Sequence, residues 1–353
     1  VYINGIWNFP FQLIISPLAG AICAGNNAVV KPCNTALNSC LLLCDLLHKY
    51  MDPKFVQVIG HPSICDDRKM TAKILQSKFD FIFFTGSTNG GKYIMSEAAK
   101  TLTPVVLELG GKNPVLVDKT ANIELTVKQI LYARVVNGGQ QCISPDYILI
   151  EKEVFQQFKD RAIHYIKEWY KTDFKTNKDQ CNLINDAQFN KVVNMLKVTK
   201  GKILVGGKSD LKTKRVEPTL VECQLNDPTI KHETFGPILW LIKVNTINDA
   251  IDYINTRPKP LSLYLFSNNK TTHNYVVNNT SSGAIQINGT VTYAGHHDIR
   301  FGGIGNSGMG KYHGKNTFEC FTHKKSVVKS FMDVPIIYPP YVDWKLKALK
   351  WVI

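Results

Sequence analysis

A cysteine and a glutamate stand out by type and setting. Cys142 closes Gly139-Gln140-Gln141-Cys142, and Glu108 sits 34 residues earlier in Leu107-Glu108-Leu109-Gly110-Gly111. A cysteine becomes a nucleophile when its surroundings favour the thiolate, and a separate carboxylate can activate the water that later cleaves a thioester. Alone, the pair is weak, since buried core cysteines and solvated glutamates are the commoner cases. A third group, Gly86-Ser87-Thr88-Asn89-Gly90-Gly91, follows an apolar run and opens a helix-like one. Glycines at such a strand-to-helix turn let backbone N–H groups approach a pyrophosphate, although the spacing is not the usual Gly-x-Gly-x-x-Gly.

These residues need a scaffold, and the pattern around them predicts one. Short apolar runs at Val1 to Ile6, Ala28 to Lys31, Phe55 to Ile59, Phe79 to Phe84 and Pro104 to Leu107 alternate with helical runs at Leu18 to Gly25, Ser39 to Tyr50, Asp67 to Gln76 and Gly91 to Lys100. That alternation predicts an α/β fold with a doubly wound parallel sheet, covered on both faces, in residues 1–109. A second α/β region, 110–317, is expected from strands at Val115 to Asp118 and Tyr147 to Ile150. Its helices are expected at Ile123 to Val136, Val154 to Tyr170 and Ala187 to Val198, with a loop from Lys171 to Cys181. Residues 318–353 read as a bridging tail with a strand-like Ser326 to Phe331 and a proline-rich Pro335 to Pro340.

The 353 residues are 44% hydrophobic, enough for a sizeable core. Nine cysteines, an odd number without a Cys-x-x-Cys pair, favour reduced thiols inside the cell over a disulfide framework. The net charge of +14 is spread over scattered lysines without a nucleic-acid-binding pattern, so nucleic acid is excluded as a partner. Adjacent His296 and His297 point to opposite faces of an extended segment and lack partner ligands, so no metal site is expected. No apolar stretch approaches the roughly 20 residues of a membrane span. Val1 lies inside a strand-like run without an initiator Met, which suggests a chain that begins mid-fold.

The landmarks Asn8, Lys31-Pro32, Phe84-Thr85-Gly86-Ser87-Thr88, Leu107 to Lys112, Cys142, Glu233-Thr234-Phe235-Gly236-Pro237 and Phe301-Gly302-Gly303 occur in order. Together they make the chain resemble an aldehyde dehydrogenase over essentially its whole length. Leu102-Thr103-Pro104-Val105, Pro145-Asp146-Tyr147-Ile148-Leu149, Gly305 to Gly310 and Tyr312-His313-Gly314-Lys315 look like the class 3 branch that contains the fatty aldehyde dehydrogenases.

The resemblance implies NAD or NADP as cofactor, with Gly86, Ser87 and Gly91 at the pyrophosphate, Lys31 near the adenosine ribose, Glu233 on the nicotinamide ribose and Phe235 near the ring. It implies Cys142 as nucleophile, Asn8 with the Cys142 N–H as oxyanion donors, and Glu108 as the base for hydrolysis. Asn288 and the Phe301-Gly302-Gly303 turn would shape the substrate side. Asn34 stands where relatives commonly carry a ribose-binding glutamate, which removes a charge that would repel a 2′-phosphate. The expected substrates are medium- or long-chain aliphatic aldehydes, and the expected assembly is a homodimer lacking here an N-terminal segment. The protein is expected in the cytoplasm or on the cytoplasmic face of the endoplasmic reticulum. The tail from Val342 to Ile353 mixes tryptophans, lysines and aliphatics as an interfacial helix does, and equally suits a helix packing over the protein's own cleft. The alternative function is that of a truncated, inactive relative serving as a structural or binding protein. A cysteine hydrolase is disfavoured because no histidine partners Cys142 in a recognised arrangement.

Overall fold

The computed structural model describes residues 1–60, 67–331 and 333–351. Residues 1–109 form β1 (Tyr2–Asn4), α1 (Gln12–Cys23), β2 (Ala28–Lys31), α2 (Leu37–Tyr50), β3 (Val56–Val58), α3 (Asp67–Ile74), β4 (Ile82–Thr85), α4 (Thr88–Ala99) and β5 (Val105–Glu108). Next come β6 (Asn113–Val117), α5 (Ile123–Val135), β7 (Pro145–Glu151), α6 (Lys152–Trp169), α7 (Asp186–Val198), β8 (Lys202–Val205), β9 (Ser209–Asp210), β10 (Arg215–Val216) and β11 (Thr219–Glu222). The compact unit closes with β12 (Ile238–Val244), α8 (Ile247–Asn255), β13 (Ser262–Phe266), α9 (Lys270–Asn279), β14 (Ala284–Ile287), β15 (Gly308–Met309) and α10 (Lys315–Cys320).

Two sheets carry the unit. The first has the order β15-β5-β4-β1-β2-β3, parallel except for β15, which runs antiparallel and sets Gly308 opposite Glu108. The second has the order β14-β13-β6-β7-β12-β11-β8, parallel except for β8, while β9 and β10 form a separate small ribbon. The central strands are buried nearly throughout, β7 at all seven positions, as expected of parallel strands with helices on both faces. Parallel strands end together, so Asn4, Lys31 and Phe84 stand in one row at the carboxyl edge of the first sheet, where doubly wound folds bind ligands.

One helix boundary departs from expectation. Helix α1 starts at Gln12, six residues before the predicted Leu18, because Pro17 lies within the helix, where its missing N–H forfeits a single bond. Residues 1–321 form one compact unit and 322–353 another, with the division after α10. Thr317 of α10 packs so tightly on α1 that a Cβ at Gly20 would collide with its side chain.

The predicted strand at Ser326 to Phe331 does not form. Its segment pairs with no strand among the described residues, and Val327, Val328 and Phe331 are each at least 80% exposed. The tail itself carries α11 (Asp343–Leu349), in which no residue is buried. Val352 and Ile353, the end of the expected tail helix, lie outside the described residues.

Candidate active site

Asn8, Gly86, Ser87, Glu108, Cys142, Glu233 and Phe235 all line one cleft of about 210 Å³, together with Trp7, Leu13, Gln188, Lys191, Phe301 and Tyr312. Loops at strand ends bring them there. Asn8 follows β1, Gly86 and Ser87 follow β4, and Glu108 is the last residue of β5. Cys142 sits in the turn that enters β7, and Glu233 and Phe235 lie before β12.

The turn after β4 is built for close approach. Ser87 caps α4, its Oγ accepting the Gly90 N–H at 3.1 Å, and a Cβ at Gly86 would strike the Phe84 ring at 2.5 Å. Gly91 does not reach the cleft. A Cβ there would meet Leu109 at 2.6 Å, so this glycine serves helix-to-strand packing. Lys31 is buried at the carboxyl end of β2 and is likewise not among the lining residues. Asn34 follows in a short helical turn, and its Oδ1 accepts the Cys40 thiol at 3.3 Å.

Electrostatics around the sulfur favour neutral forms. Burial pushes the Glu108 carboxyl well above its ordinary range, against an opposing pull from the Lys311 charge, and neither carboxyl oxygen has a hydrogen-bond partner among the described residues. Burial, followed by the charges of Glu108 and Glu233, pushes the Cys142 thiol up to about 12, while the N–H groups of Cys142 and Ile143 pull the other way. Each ionised partner raises the proton affinity of the other, which favours the thiol and the carboxylic acid. Glu233 is pushed up to about 7 by burial, against the Gly111 N–H that donates to Oε1 at 3.2 Å. Gly110 makes that contact feasible, because a Cβ there would lie 2.5 Å from the Glu233 Oε2.

Asn8 donates Nδ2 to the Gln140 carbonyl at 3.1 Å, and its buried Oδ1 has no partner among the described residues. An amide nitrogen carries two hydrogens, so one remains for a second acceptor. Asn288 does not line the cleft. Its amide closes a ring with the Ser267 N–H and carbonyl, tying the ends of β13 and β14.

Sequence reasoning passed over two groups. Gln188 and Lys191, one turn apart on α7, face the cleft, and Gln188 donates to the Phe235 carbonyl at 2.6 Å. That bond holds Phe235 at a positive φ of 51°, which is unusual for a bulky residue, and Trp7 meets its ring edge-on at 5.5 Å. The other group is a buried ion cluster. Lys112 contacts Asp146 at 2.6 Å, and Asp146 accepts both the N–H and the hydroxyl of Thr234, the residue between Glu233 and Phe235. Breaking such a pair leaves an uncompensated buried charge and costs about 3–5 kcal/mol, so the Glu233 loop is firmly held. Periodicity could have flagged the Gln188–Lys191 face, whereas the cluster joins residues from three separate phrases whose contact nothing local shows.

Residues 5–327 match the family described as Aldehyde dehydrogenase family. The chain is similar to aldehyde dehydrogenase family 3 member H1 of Arabidopsis thaliana, 39% identical over all of this chain and 73% of the relative. It is 40% identical to the dimeric NADP-preferring aldehyde dehydrogenase of Mus musculus, over 92% of this chain and 71% of that one. Among solved structures, the substrate-bound state of Staphylococcus aureus AldH superposes with a TM-score of 0.92 at 35% identity, covering 99% of this chain and 76% of the other.

Proposed function

Since the chain belongs to the aldehyde dehydrogenase family, as an NAD(P)-dependent enzyme of the class 3 branch, we propose that it oxidises medium- to long-chain aliphatic aldehydes to carboxylic acids through Cys142. One observation carries this reading: Cys142, Glu108, Asn8, Glu233 and the Gly86-Ser87 turn converge on a single cleft. The cleft's fit to a dinucleotide rests on the glycine turn at the head of α4 and on the Glu233 carboxylate held at its mouth by Gly111. Gly86 and Ser87 would receive the pyrophosphate, Glu233 the nicotinamide ribose, and Phe235 would border the ring. Lys31 and Gly91 act from outside the cleft lining, Lys31 toward the adenosine ribose and Gly91 by seating α4 on Leu109.

The chemistry begins at the sulfur. Once its thiol has lost its proton to solvent, Cys142 Sγ bonds as the thiolate to the aldehyde carbon, the C=O π bond opens, and the resulting oxyanion is received by the free Asn8 N–H and the Cys142 backbone N–H. When bound, the oxidised nicotinamide would supply the hydride acceptor. Loss of hydride from the former aldehyde carbon leaves a thioester on Cys142. Ionised Glu108 then takes a proton from water, whose oxygen attacks the thioester, and the carboxylic acid departs as the thiol is restored.

The apolar wall of Leu13, Trp7, Phe301, Tyr312 and Phe235 supports an aliphatic chain in the substrate position. We assign residues 1–109 to cofactor binding, 110–317 to catalysis and 318–353 to bridging, within a homodimer that the dimeric mouse relative supports. Exposed Trp344, Leu346 and Trp351 beside Lys345, Lys347 and Lys350 support contact of the tail with an anionic membrane surface on the cytoplasmic side. No helix among the described residues is long and apolar enough to cross a membrane. The test is aldehyde-dependent cofactor reduction across a chain-length series. Turnover that is lost in Cys142→Ser supports the reading, and cofactor binding without turnover favours an inactive, structural role.

A further inference from the structure

Three consecutive carbonyls of the nucleophile turn are held by two buried side chains. Asn113, 1% exposed at the start of β6, donates Nδ2 to the carbonyls of Cys142 at 2.8 Å and Ser144 at 3.0 Å. Its Oδ1 accepts the Ser262 N–H of β13 at 3.0 Å, so both ends of the amide are engaged. Tyr264 of β13, fully buried, donates its hydroxyl to the carbonyl between them, that of Ile143, at 2.5 Å.

The geometry has a consequence at the sulfur. The Cys142 carbonyl and the Ile143 N–H belong to one planar peptide and point in opposite directions, so fixing the oxygen aims the N–H. That N–H and the one of Cys142 itself are the two groups that pull the thiol down toward ionisation. Every other influence on the sulfur opposes its ionisation: burial, Glu108 at the end of β5 and Glu233 before β12. The remaining titratable groups around it, Tyr264 on β13 and Tyr293 and Tyr312 from the segments after β14, are phenols that burial pushes up and keeps neutral. Two backbone donors are thus the protein's own counterweight in favour of a thiolate.

We infer that Asn113 and Tyr264 are positioning residues for the nucleophile, which clamp the Cys142–Ser144 turn so that the Ile143 N–H stays aimed at the sulfur. The inference rests on Cys142 being the reactive thiol. It extends that assignment to two side chains that never touch substrate.

The test uses the full chain and requires no turnover. Iodoacetamide alkylation of Cys142, followed by the mass of its peptide, is measured against pH for wild type, Asn113→Ala and Tyr264→Phe. Removing a hydrogen-bonded clamp on a charge-stabilising donor predicts alkylation about tenfold slower at neutral pH and a profile moved to higher pH. A parallel fall in kcat is expected with cofactor affinity unchanged, and Asn113→Ser, which keeps one donor, should recover part of the loss. Variants that melt at lower temperature but keep the wild-type alkylation profile overturn the inference, because a merely structural clamp would do that. If Asn113→Ala does not fold, Tyr264→Phe decides by the same readout. Turnover that survives Cys142→Ser would instead refute the functional reading and leave the alkylation result to stand by itself.

Discussion

Replacing Glu233 by Gln is expected to make the protein more stable and its cofactor bind less well, with a pH dependence that identifies the cause. The half-buried carboxyl has its pKa raised from 4.5 to about 7 by burial. A raised carboxyl means that the folded state holds its proton more tightly than the unfolded state. Below about pH 4 both states are protonated, and wild type and variant should be equally stable. As pH climbs through the window between 4.5 and about 7, the unfolded chain ionises first and wild-type stability is lost, with the loss complete above the folded pKa. Since each tenfold change in proton affinity is about 1.4 kcal/mol, the full difference is about 3 kcal/mol. Glutamine keeps an oxygen for the Gly111 N–H, so no donor is orphaned. Urea unfolding monitored by tryptophan fluorescence should show the Glu233→Gln advantage rising from near zero at about pH 4 to about 3 kcal/mol at about pH 8. A constant offset between the curves, or a variant less stable at the higher pH, would refute burial as the source of the shift. Weaker cofactor binding in the same variant would show what the destabilised carboxylate is kept for.

Further outcomes follow from the same geometry. Gly110→Ala places a Cβ 2.5 Å from the Glu233 Oε2 and must displace that carboxylate; cofactor Kd, measured by fluorescence titration, should rise about ten- to a hundredfold, the value of one charged hydrogen bond. Glu108→Gln should release one equivalent of reduced cofactor in a burst and then slow by about 10²–10⁴, because only the hydrolytic step needs the base; a variant slowed in the burst itself would move Glu108 to the earlier step. Deacylation in the wild type should accelerate with pH, since burial holds Glu108 protonated well above the ordinary range and only its ionised form accepts a proton. The Asn34 amide should permit NADP as well as NAD, and Asn34→Glu should lower the kcat/KM ratio of NADP to NAD at least about tenfold through like-charge repulsion; strict NAD preference in the wild type would remove the premise.

Legibility in the sequence followed the range of the interactions. Strands such as β4 and β7 are short apolar runs whose burial follows from their composition, and most were placed within a few residues. Cys142, Glu108 and Glu233 stood out because each sits in a distinctive local phrase, although nothing local shows that the three share a cleft. Gly91 belongs to such a phrase yet works through Leu109, because a glycine's use depends on what lies beside it. The Lys112–Asp146–Thr234 cluster joins residues 34 and 88 positions apart; each lies in a distinctive local phrase, but nothing along the chain shows that the three meet. Ser326 to Phe331 shows the converse failure. Apolar residues with β propensity make a strand only when a neighbouring strand accepts their backbone groups, and the described residues supply none.

The most direct test of the covalent route is the mass of the Cys142 peptide after Glu108→Gln protein is mixed with an aliphatic aldehyde and oxidised cofactor and quenched in acid. This peptide alone should gain the acyl group of the aldehyde, in step with the burst of reduced cofactor. Reduced cofactor formed while Cys142 stays unmodified, or an acyl group on another cysteine, would contradict the covalent route.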